Sequence, residues 1–255
     1  MTDADLPPPT ASLLIIGDEI LSGRTQDANL KYLGERCAAL GIHLAECRVV
    51  PDVPDAIVEA LNALRLRYTY VFTTGGIGPT HDDITTACVA RAFGRNVIRH
   101  PVAVEKLVAY YGHMPNEARL KMAETPDGPD VSLIENRATA APGFRIENVY
   151  VMAGIPSIAR AMFEAVVPSL RGGDPVYSNH VDGEVREGDI AAELTDIQNR
   201  YAHVSIGSYP FMREGSPCVS IVARATDKIA IARALEEVAG VMRAKGASPV
   251  LGTLL

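Results

Sequence analysis

The first two-thirds of the chain alternates between two hydrophobic patterns. Short apolar runs, most of them ended by glycine, predict buried strands, whereas apolar residues spaced three or four positions apart predict amphipathic helices. The predicted strands lie at 12–16, 44–50, 68–74 and 149–152. The predicted helices lie at 27–40, 54–64, 82–93, 102–111 and 156–167. Strands separated by helices favour parallel pairing, so we expect a layered α/β domain with a mostly parallel sheet.

The pattern changes around the glycine pair at 172–173. Beyond it we predict strands at 176–185, 203–209 and 218–226 and helices at 189–201 and 228–243. The order β-α-β-β-α is typical of a small two-layer α+β domain. The predicted organisation is a flexible tail, a larger α/β domain and a smaller α+β domain, over residues 1–10, 11–172 and 173–255.

Composition and charge narrow the class of protein. Of 255 residues, 47% are hydrophobic and 22% are charged, values that indicate a globular protein. The formal net charge is −7, and residues 174–255 hold 8 basic and 11 acidic residues, which argues against a nucleic-acid partner. No apolar run approaches the ~18 residues of a membrane span, and the N-terminal residues lack a secretory pattern. We therefore interpret the chain as a cytoplasmic protein, with its scattered cysteines as small buried hydrophobes.

Two glycine-rich, acidic segments follow predicted strands, at 17–23 and 73–85. Ligands bind at the carboxyl ends of parallel strands, where both segments should meet. Gly75, Gly76 and Gly78 allow close approach of a ligand, and the helix start that follows suits a phosphate. Asp82 and Asp83 would repel that phosphate unless a divalent cation bridged the two, and hard oxygen ligands favour magnesium or manganese.

The same residues allow structural interpretations. The glycines can serve a tight turn alone, and Thr80 with Asp83 has the spacing of a helix capping box. Asp52 is more typical of a helix N-cap than of a metal ligand. His81 can act as an acid or base near neutral pH, but a solvated loop histidine is the commoner case.

The two segments resemble a known family. Gly-Asp-Glu-Ile-Leu-x-Gly-x-x-x-Asp-x-Asn at 17–29 and Thr-Gly-Gly-x-Gly-Pro-Thr-x-Asp-Asp-x-Thr at 74–85 resemble the MoaB/Mog molybdopterin-binding domain. The similarity is greatest to the branch that holds the competence/damage-inducible protein CinA and the N-terminal domain of FAD synthase. It continues through segments at 116–119, 136–143 and 154–156 and spans about 13–170. The smaller domain, with Ile-Gly-Ser-Tyr-Pro at 206–210, resembles a KH-like module.

The resemblance implies a three-layer α/β/α fold, a homo-oligomer (dimer or trimer) and a pocket for a nucleotide or pterin-phosphate. Within its branch it implies a metal-dependent pyrophosphatase that acts on ADP-containing dinucleotides such as ADP-ribose or FAD, with magnesium, manganese or cobalt as the cofactor. The predicted catalytic residues are Asp82, Asp83 and Asp18, and these three with Asp27 are the predicted metal ligands. The predicted substrate-binding residues are Gly75, Gly76, Gly78, Thr80, Ser22, Asn29, Asn116, Arg119 and Gly154.

Two alternatives remain open from the sequence. The same pocket can bind or adenylylate molybdopterin in molybdenum-cofactor biosynthesis. It can also belong to a regulatory nucleotide-binding module without turnover, because Ile158 stands where the branch usually has glutamate. We prefer the hypothesis of an enzyme, because the paired acids Asp82 and Asp83 follow a glycine-rich loop.

Overall fold

The structure, a computed structural model, describes residues 7–254. The chain divides into two compact units, the first of which ends at Gly173 while the second begins at Asp174. Of the tail predicted over 1–10, residues 1–6 lie outside the described residues. The rest is part of the first unit, because Thr10 begins a strand and the carbonyl O of Pro9 accepts from the backbone N–H of His43 at 2.9 Å.

The first unit contains eight described strands and seven described α-helices. The strands are β1 (Thr10–Ile16), β2 (His43–Val50), β3 (Tyr70–Thr74), β4 (Val97–Arg99), β5 (Glu124–Pro126), β6 (Val131–Ile134), β7 (Gly143–Ile146) and β8 (Val149–Met152). The helices are α1 (Asp18–Leu21), α2 (Asn29–Ala39), α3 (Pro54–Arg65), α4 (Thr85–Ala92), α5 (Pro101–Tyr111), α6 (Glu117–Leu120) and α7 (Pro156–Val166).

Six of these strands form one sheet in the order β2-β1-β3-β8-β7-β6. The first four are parallel, and β7 runs antiparallel to both neighbours. This confirms the predicted α/β fold with a mostly parallel sheet. The strands β4 to β7 were not predicted, because each is short and contains a polar, charged, glycine or proline residue, whereas the equally short β8 is apolar throughout and was predicted.

Helices cover both faces of this sheet. Leu13 of β1 belongs to the core on the side of α2 and α7, and Leu14, the next residue, belongs to the core on the side of α3 and α4. A strand that is buried on both faces carries a continuous apolar run, which is why β1 was predicted from its composition. The unit therefore has three layers, α/β/α.

The second unit is a separate antiparallel sheet with two α-helices. Its described elements are β9 (Tyr177–Gly183), α8 (Ala191–Arg200), β10 (Ser205–Arg213), β11 (Ser216–Ala225), α9 (Lys228–Ala244) and β12 (Val250–Leu251). The sheet order is β10-β11-β9-β12, and every pairing is antiparallel. Val181, Ile221 and Leu235 are fully buried in its core, which confirms the α+β prediction for this part of the chain. Between residues 7 and 254, no helix combines the length and apolar character needed to cross a membrane.

Candidate functional site

Two loops leave the same edge of the main sheet. Strands β1 and β3 pair in parallel, with Ile15 beside Thr74, so their carboxyl ends are adjacent. The first loop (residues 17–28) follows β1 and includes α1, and the second loop (residues 75–84) follows β3. This edge is where an open α/β sheet binds its ligands. The predicted acidic and glycine-rich residues therefore lie at the expected end of the strands.

Two glycines determine the start of the second loop. Gly75 and Gly76 have φ angles of 108° and 66°, which L-residues with a Cβ rarely adopt. A Cβ on Gly75 would overlap the carbonyl O of Ile16, and a Cβ on Gly76 would overlap the hydroxyl of Thr85. That buried hydroxyl donates to the carbonyl O of Gly75, and the N–H of Thr85 donates to that of Gly76, both at 2.9 Å. The glycines thus hold the loop against β1 and the start of α4.

Asp83 closes the rest of this loop on itself. Its Oδ2 accepts from the backbone N–H of Thr80 at 2.8 Å and from the Thr80 hydroxyl at 2.5 Å. Helix α4 begins only at Thr85, so the helix predicted from residue 82 starts three residues too early. The Thr80–Asp83 pair therefore stabilises a loop, and the capping-box interpretation is wrong. The carboxylate of Asp83 also lies against Gly78, where an added Cβ would be 2.7 Å from Oδ2.

Lys121 brings a positive charge to the second loop. Its ammonium donates to the carbonyl O of Thr80, from a position just after α6. The pKa of Asp82 is lowered, first by the side chain of Thr80 and further by the charges of His81 and Lys121. The Thr80 hydroxyl itself donates to Asp83, the next residue. Sequence reasoning missed Lys121, because a single lysine in a helical segment carries no signal of a partner 41 residues away.

The first loop is held by an acid from a third segment. The N–H of Asp18 donates to Oδ2 of Asp52 at 3.0 Å, and the N–H of Gly17 donates to the carbonyl O of Val50 at 3.1 Å. Asp52 was predicted to cap the next helix, and this is wrong. Helix α3 begins at Pro54 with Val53 in the N-cap position, and no side chain caps it. Asp52 instead fixes the start of α1.

The acids of both loops act on Asp52. Partial burial raises the pKa of the Asp52 carboxyl, and the negative charges of Asp18, Glu19 and Asp82 raise it further, whereas the hydrogen bond from the Asp18 N–H lowers it. Asp18 and Glu19 belong to the first loop and Asp82 to the second. Acids of both loops therefore influence the carboxyl of Asp52, a relation that the sequence did not reveal.

Asn29 and Gly154 lie next to the start of the second loop. Asn29 is only 4% exposed, and its Nδ2 donates to the carbonyl O of Gly154 at 2.9 Å. Gly154 lies against the second loop, since a Cβ built on it would be 3.2 Å from Cα of Gly75. Within residues 7–254, Oδ1 of Asn29 has no hydrogen-bond partner. The structure thus brings Asn29, Gly154 and Gly75 together.

Other predicted residues make local contacts. Oδ1 of Asp27 accepts from the N–H of Leu30 at 2.7 Å and so caps the first turn of α2. The Ser22 hydroxyl donates to the carbonyl O of Glu19 at 3.3 Å. Further along, Oδ1 of Asn116 caps α6 by accepting from the N–H of Arg119 at 3.0 Å, and the Arg119 guanidinium lies over Tyr111, 4.4 Å from the ring centroid. In these contacts Asn116 and Arg119 do not reach the two loops.

The part of the chain that the structure describes holds no ready-made cage of three or more His, Cys, Asp or Glu side chains for a metal ion. The four cysteines are free thiols. Burial raises the pKa of Cys37 to about 12 and that of Cys47 to about 11, so these two thiols are not nucleophiles near neutral pH. Ile158 is 9% exposed and packs in the core beside α2 and α7, so it contributes no polar group to the site.

Comparison with known protein families assigns a description to each unit. Residues 12–172 match the probable molybdopterin binding domain. Residues 175–250 match the middle domain of FAD synthase. The interval between the two matches contains the division of the structure after Gly173.

Individual relatives extend this comparison. A protein of Aeropyrum pernix is 36% identical over 233 residues, which cover 86% of each chain. A putative competence-damage inducible protein of Caldicellulosiruptor saccharolyticus is 32% identical over 211 residues, which cover 78% of this chain and 51% of that protein. The crystal structure of the protein CinA from Thermoplasma acidophilum is similar to the first unit, with a TM-score of 0.60 and 30% identity. It covers 64% of this chain and 98% of its own.

Proposed function

Because the chain belongs to the family of probable molybdopterin-binding domains, in its CinA-like branch, we propose that its first unit hydrolyses the diphosphate bond of an ADP-containing dinucleotide, of the ADP-ribose or FAD type, with a divalent cation. The observation that carries the proposal is that the loops with Asp18 and Asp82 leave the adjacent parallel strands β1 and β3 at the same edge, where Asp52 accepts from the N–H of Asp18. These acids adjoin a glycine-rich loop at the ligand-binding edge of the sheet.

The donor set fits a hard divalent cation. A cation placed among neighbouring acids relieves their mutual repulsion, and oxygen ligands favour magnesium or manganese. Magnesium is usually held by one or two carboxylates together with substrate phosphates, and not by a complete protein cage. Asp18 and Asp82 would hold it, because the Asp83 and Asp27 carboxylates are each engaged in a hydrogen bond with their own segment. When bound, such a cation polarises a phosphoryl oxygen and favours ionisation of an attacking water.

The remaining residues position the diphosphate. We place the diphosphate against the second loop, at the ligand-binding edge of the sheet, although the Cβ positions of Gly76 and Gly78 are themselves occupied by the Thr85 hydroxyl and the Asp83 carboxylate. The ammonium of Lys121, now on the carbonyl O of Thr80, supplies the positive charge that the developing phosphate charge needs. Asp82, whose pKa is lowered, stays ionised at neutral pH and is available to a cation.

The test is a turnover assay on the purified chain. FAD and ADP-ribose are each incubated with magnesium, manganese or cobalt, and release of AMP is followed by chromatography. We expect metal-dependent release of AMP that falls about 100-fold in Asp82→Asn, because the cation loses a ligand. Asp196→Asn, which removes an exposed acid of the second unit, is the matched control and should keep full activity. An Asp82→Asn protein as active as the wild type would contradict the metal assignment.

One second function is favoured by the family description itself, which names molybdopterin. The same loops would then hold the phosphate of a pterin. Titration of the purified chain with molybdopterin, with FAD as the competitor, separates the two functions. Tight pterin binding without release of AMP from either dinucleotide would replace the pyrophosphatase proposal.

A further inference from the structure

A groove of about 480 Å³ runs between α2 and α7 in the first unit. It is lined by residues 26–28, Lys31, Tyr32, Glu35 and Arg160. The groove has two acidic and two basic side chains, Asp27 and Glu35 against Lys31 and Arg160. Asp27 is already bonded to the backbone, and Lys31 lies 3.9 Å from Glu35. A lining whose charges balance in this way favours an uncharged ligand group over a phosphate.

The aromatic wall of the groove is held rigidly. The Tyr32 hydroxyl donates to Oε1 of Glu164 at 2.5 Å. The Arg36 guanidinium donates to the same carboxylate, from Nε to Oε1 at 2.6 Å and from Nη2 to Oε2 at 2.9 Å. The edge of the ring is packed against Phe163, with centroids 6.2 Å apart and planes at 84°. The Tyr32 ring therefore presents a fixed surface and loses little conformational freedom when a ligand binds.

Arg160 lies on this surface without an acidic partner. Its guanidinium carbon is 5.0 Å from the Tyr32 ring centroid. Glu164, one turn further along α7, is occupied by Arg36 and Tyr32, and within residues 7–254 Arg160 forms no ion pair. Arg160 is exposed, so the guanidinium face that does not cover Tyr32 is open. A guanidinium that already stacks on one ring can accept a second flat ring on its other face.

The groove adjoins the candidate site. Tyr32 lies three residues beyond Asn29 on α2, and Arg160 lies four residues beyond Pro156 on α7, rises of about 4.5 Å and about 6 Å along the two helices. Asn29 donates to the carbonyl O of Gly154, which in turn lies against Gly75 of the second loop. Residues 26–28, which line the groove, also end the first loop, so the groove adjoins the edge of the sheet at which we place the diphosphate. That position suits a nucleotide whose phosphates lie at the second loop.

We propose that the α2–α7 groove binds a planar heteroaromatic ring of the substrate, which stacks on Arg160 above Tyr32. The inference rests on the proposed function, because it extends the same site from phosphate to base. The ring is either the adenine that every ADP-containing ligand carries or the second ring of a dinucleotide such as FAD. Both have the same chemistry, a flat uncharged ring attached through a sugar to phosphate.

Calorimetry with magnesium and three probes tests the proposal. Pyrophosphate has no ring, ADP has adenine alone and FAD has adenine and flavin. In Arg160→Ala we expect the affinity for a ring-bearing ligand to fall about tenfold, as loss of a stacking partner does, and the affinity for pyrophosphate to stay unchanged. If ADP and FAD both weaken, the ring is adenine, and if FAD alone weakens, it is flavin. Arg145→Ala is the matched control, because Arg145 lies 5.2 Å from the ring centroid of Tyr150, outside the groove.

A second variant separates stacking from charge. Arg160→Lys keeps the positive charge but loses the planar face, so it should bind as weakly as Arg160→Ala. Wild-type affinity in Arg160→Lys, or equal losses for pyrophosphate and ADP in Arg160→Ala, would overturn the proposal. So would a wild-type chain that binds ADP and FAD no tighter than pyrophosphate. Ring-dependent binding without any release of AMP would instead contradict the hydrolase function and leave the groove assignment supported.

Discussion

Gly76 combines a positive φ with a neighbour that leaves no room for a side chain. The φ of 66° alone costs an L-residue roughly 1–2 kcal/mol. The hydroxyl of Thr85 occupies the position that a Cβ would take, and it cannot move without losing its hydrogen bond to the carbonyl O of Gly75. From the sequence alone, a glycine kept for a turn and a glycine kept for a ligand look identical. The structure shows that Gly76 is required by the loop itself.

We therefore predict that Gly76→Ala lowers the free energy of unfolding by about 2–4 kcal/mol, the sum of backbone strain and overpacking. Gly94→Ala is the control, because Gly94 has a φ of 63° but no atom within 4 Å of the position that a Cβ would take, so it should cost only the roughly 1–2 kcal/mol of backbone strain. Denaturant melts of both variants measure the difference. Equal losses in the two variants would mean that the Thr85 hydroxyl moves aside freely.

The residues whose contacts with the two loops were not predicted are distant from those loops in sequence. Lys121 reaches the second loop across 41 residues, and Asp52 reaches the first loop across 34. Neither has a neighbour in sequence that indicates the contact, so only the fold reveals it. Asp82 and Gly75 could be predicted as site residues because they lie inside a motif that is contiguous in the chain. Contiguous site segments can be read from sequence, whereas groups brought in from other elements cannot.

At the scale of elements, agreement follows length and burial. Strand β1 and helices α2 and α9 carry long apolar patterns, and the structure places them within two residues of the predicted bounds. Strand β7 was missed because glycine and arginine interrupt its four residues, whereas the four residues of β8 are all apolar and were predicted as a strand. Helix α4 starts late because Thr85 donates to the carbonyl O of Gly76, and this tertiary bond sets its first turn. Boundaries fixed by distant partners are therefore predicted least well.

Helix α2 allows a structural and a metal-binding role of one acid to be separated. Asp27 caps the first turn by accepting from the N–H of Leu30, so Asp27→Ala should cost about 1 kcal/mol of stability. Asp27→Asn keeps the acceptor oxygen and should stay within a few tenths of a kcal/mol of wild type. Because the Leu30 N–H already engages Asp27, we expect the asparagine variant to keep wild-type turnover at limiting magnesium, whereas a loss would restore Asp27 as the metal ligand predicted from the sequence. Thermal melts and a magnesium titration of AMP release measure the two effects.

Asp227 supplies the matched control for this helix. Its Oδ1 caps α9 in the second unit by accepting from the N–H groups of Ile229 at 2.8 Å and Ala230 at 3.2 Å. Asp227→Ala and Asp227→Asn should reproduce the two stability effects without any change in turnover. Unchanged magnesium dependence in Asp27→Asn would leave Asp27 as a cap and remove it from the metal ligands.

At the scale of the whole chain, each unit has its own hydrophobic core, and the residues of the proposed function belong to the first unit alone. The buried residues of the second unit form one cluster of their own, around Val181, Ile221 and Leu235, and those of the first unit form separate clusters. The residues that carry the proposed function, among them Asp18, Asp82 and Arg160, all precede Gly173. About 80 residues with an antiparallel sheet and two helices are enough for a domain to fold alone. The division thus predicts that the two units are separable.

We predict that a fragment of residues 1–173 binds ADP with magnesium as tightly as the full chain does, and that a fragment of residues 174–255 folds but does not bind it. The reason is that the glycine-rich loop, the acids and the α2–α7 groove all belong to the first unit. Calorimetry measures the affinities, and circular dichroism with a thermal melt shows whether each fragment keeps a cooperative transition. A first fragment that melts like a folded domain but has lost ADP would show that the second unit contributes to the site. Wild-type affinity in that fragment would mean that the second unit does not contribute to ADP binding and has another role, such as oligomer assembly or binding of a separate ligand.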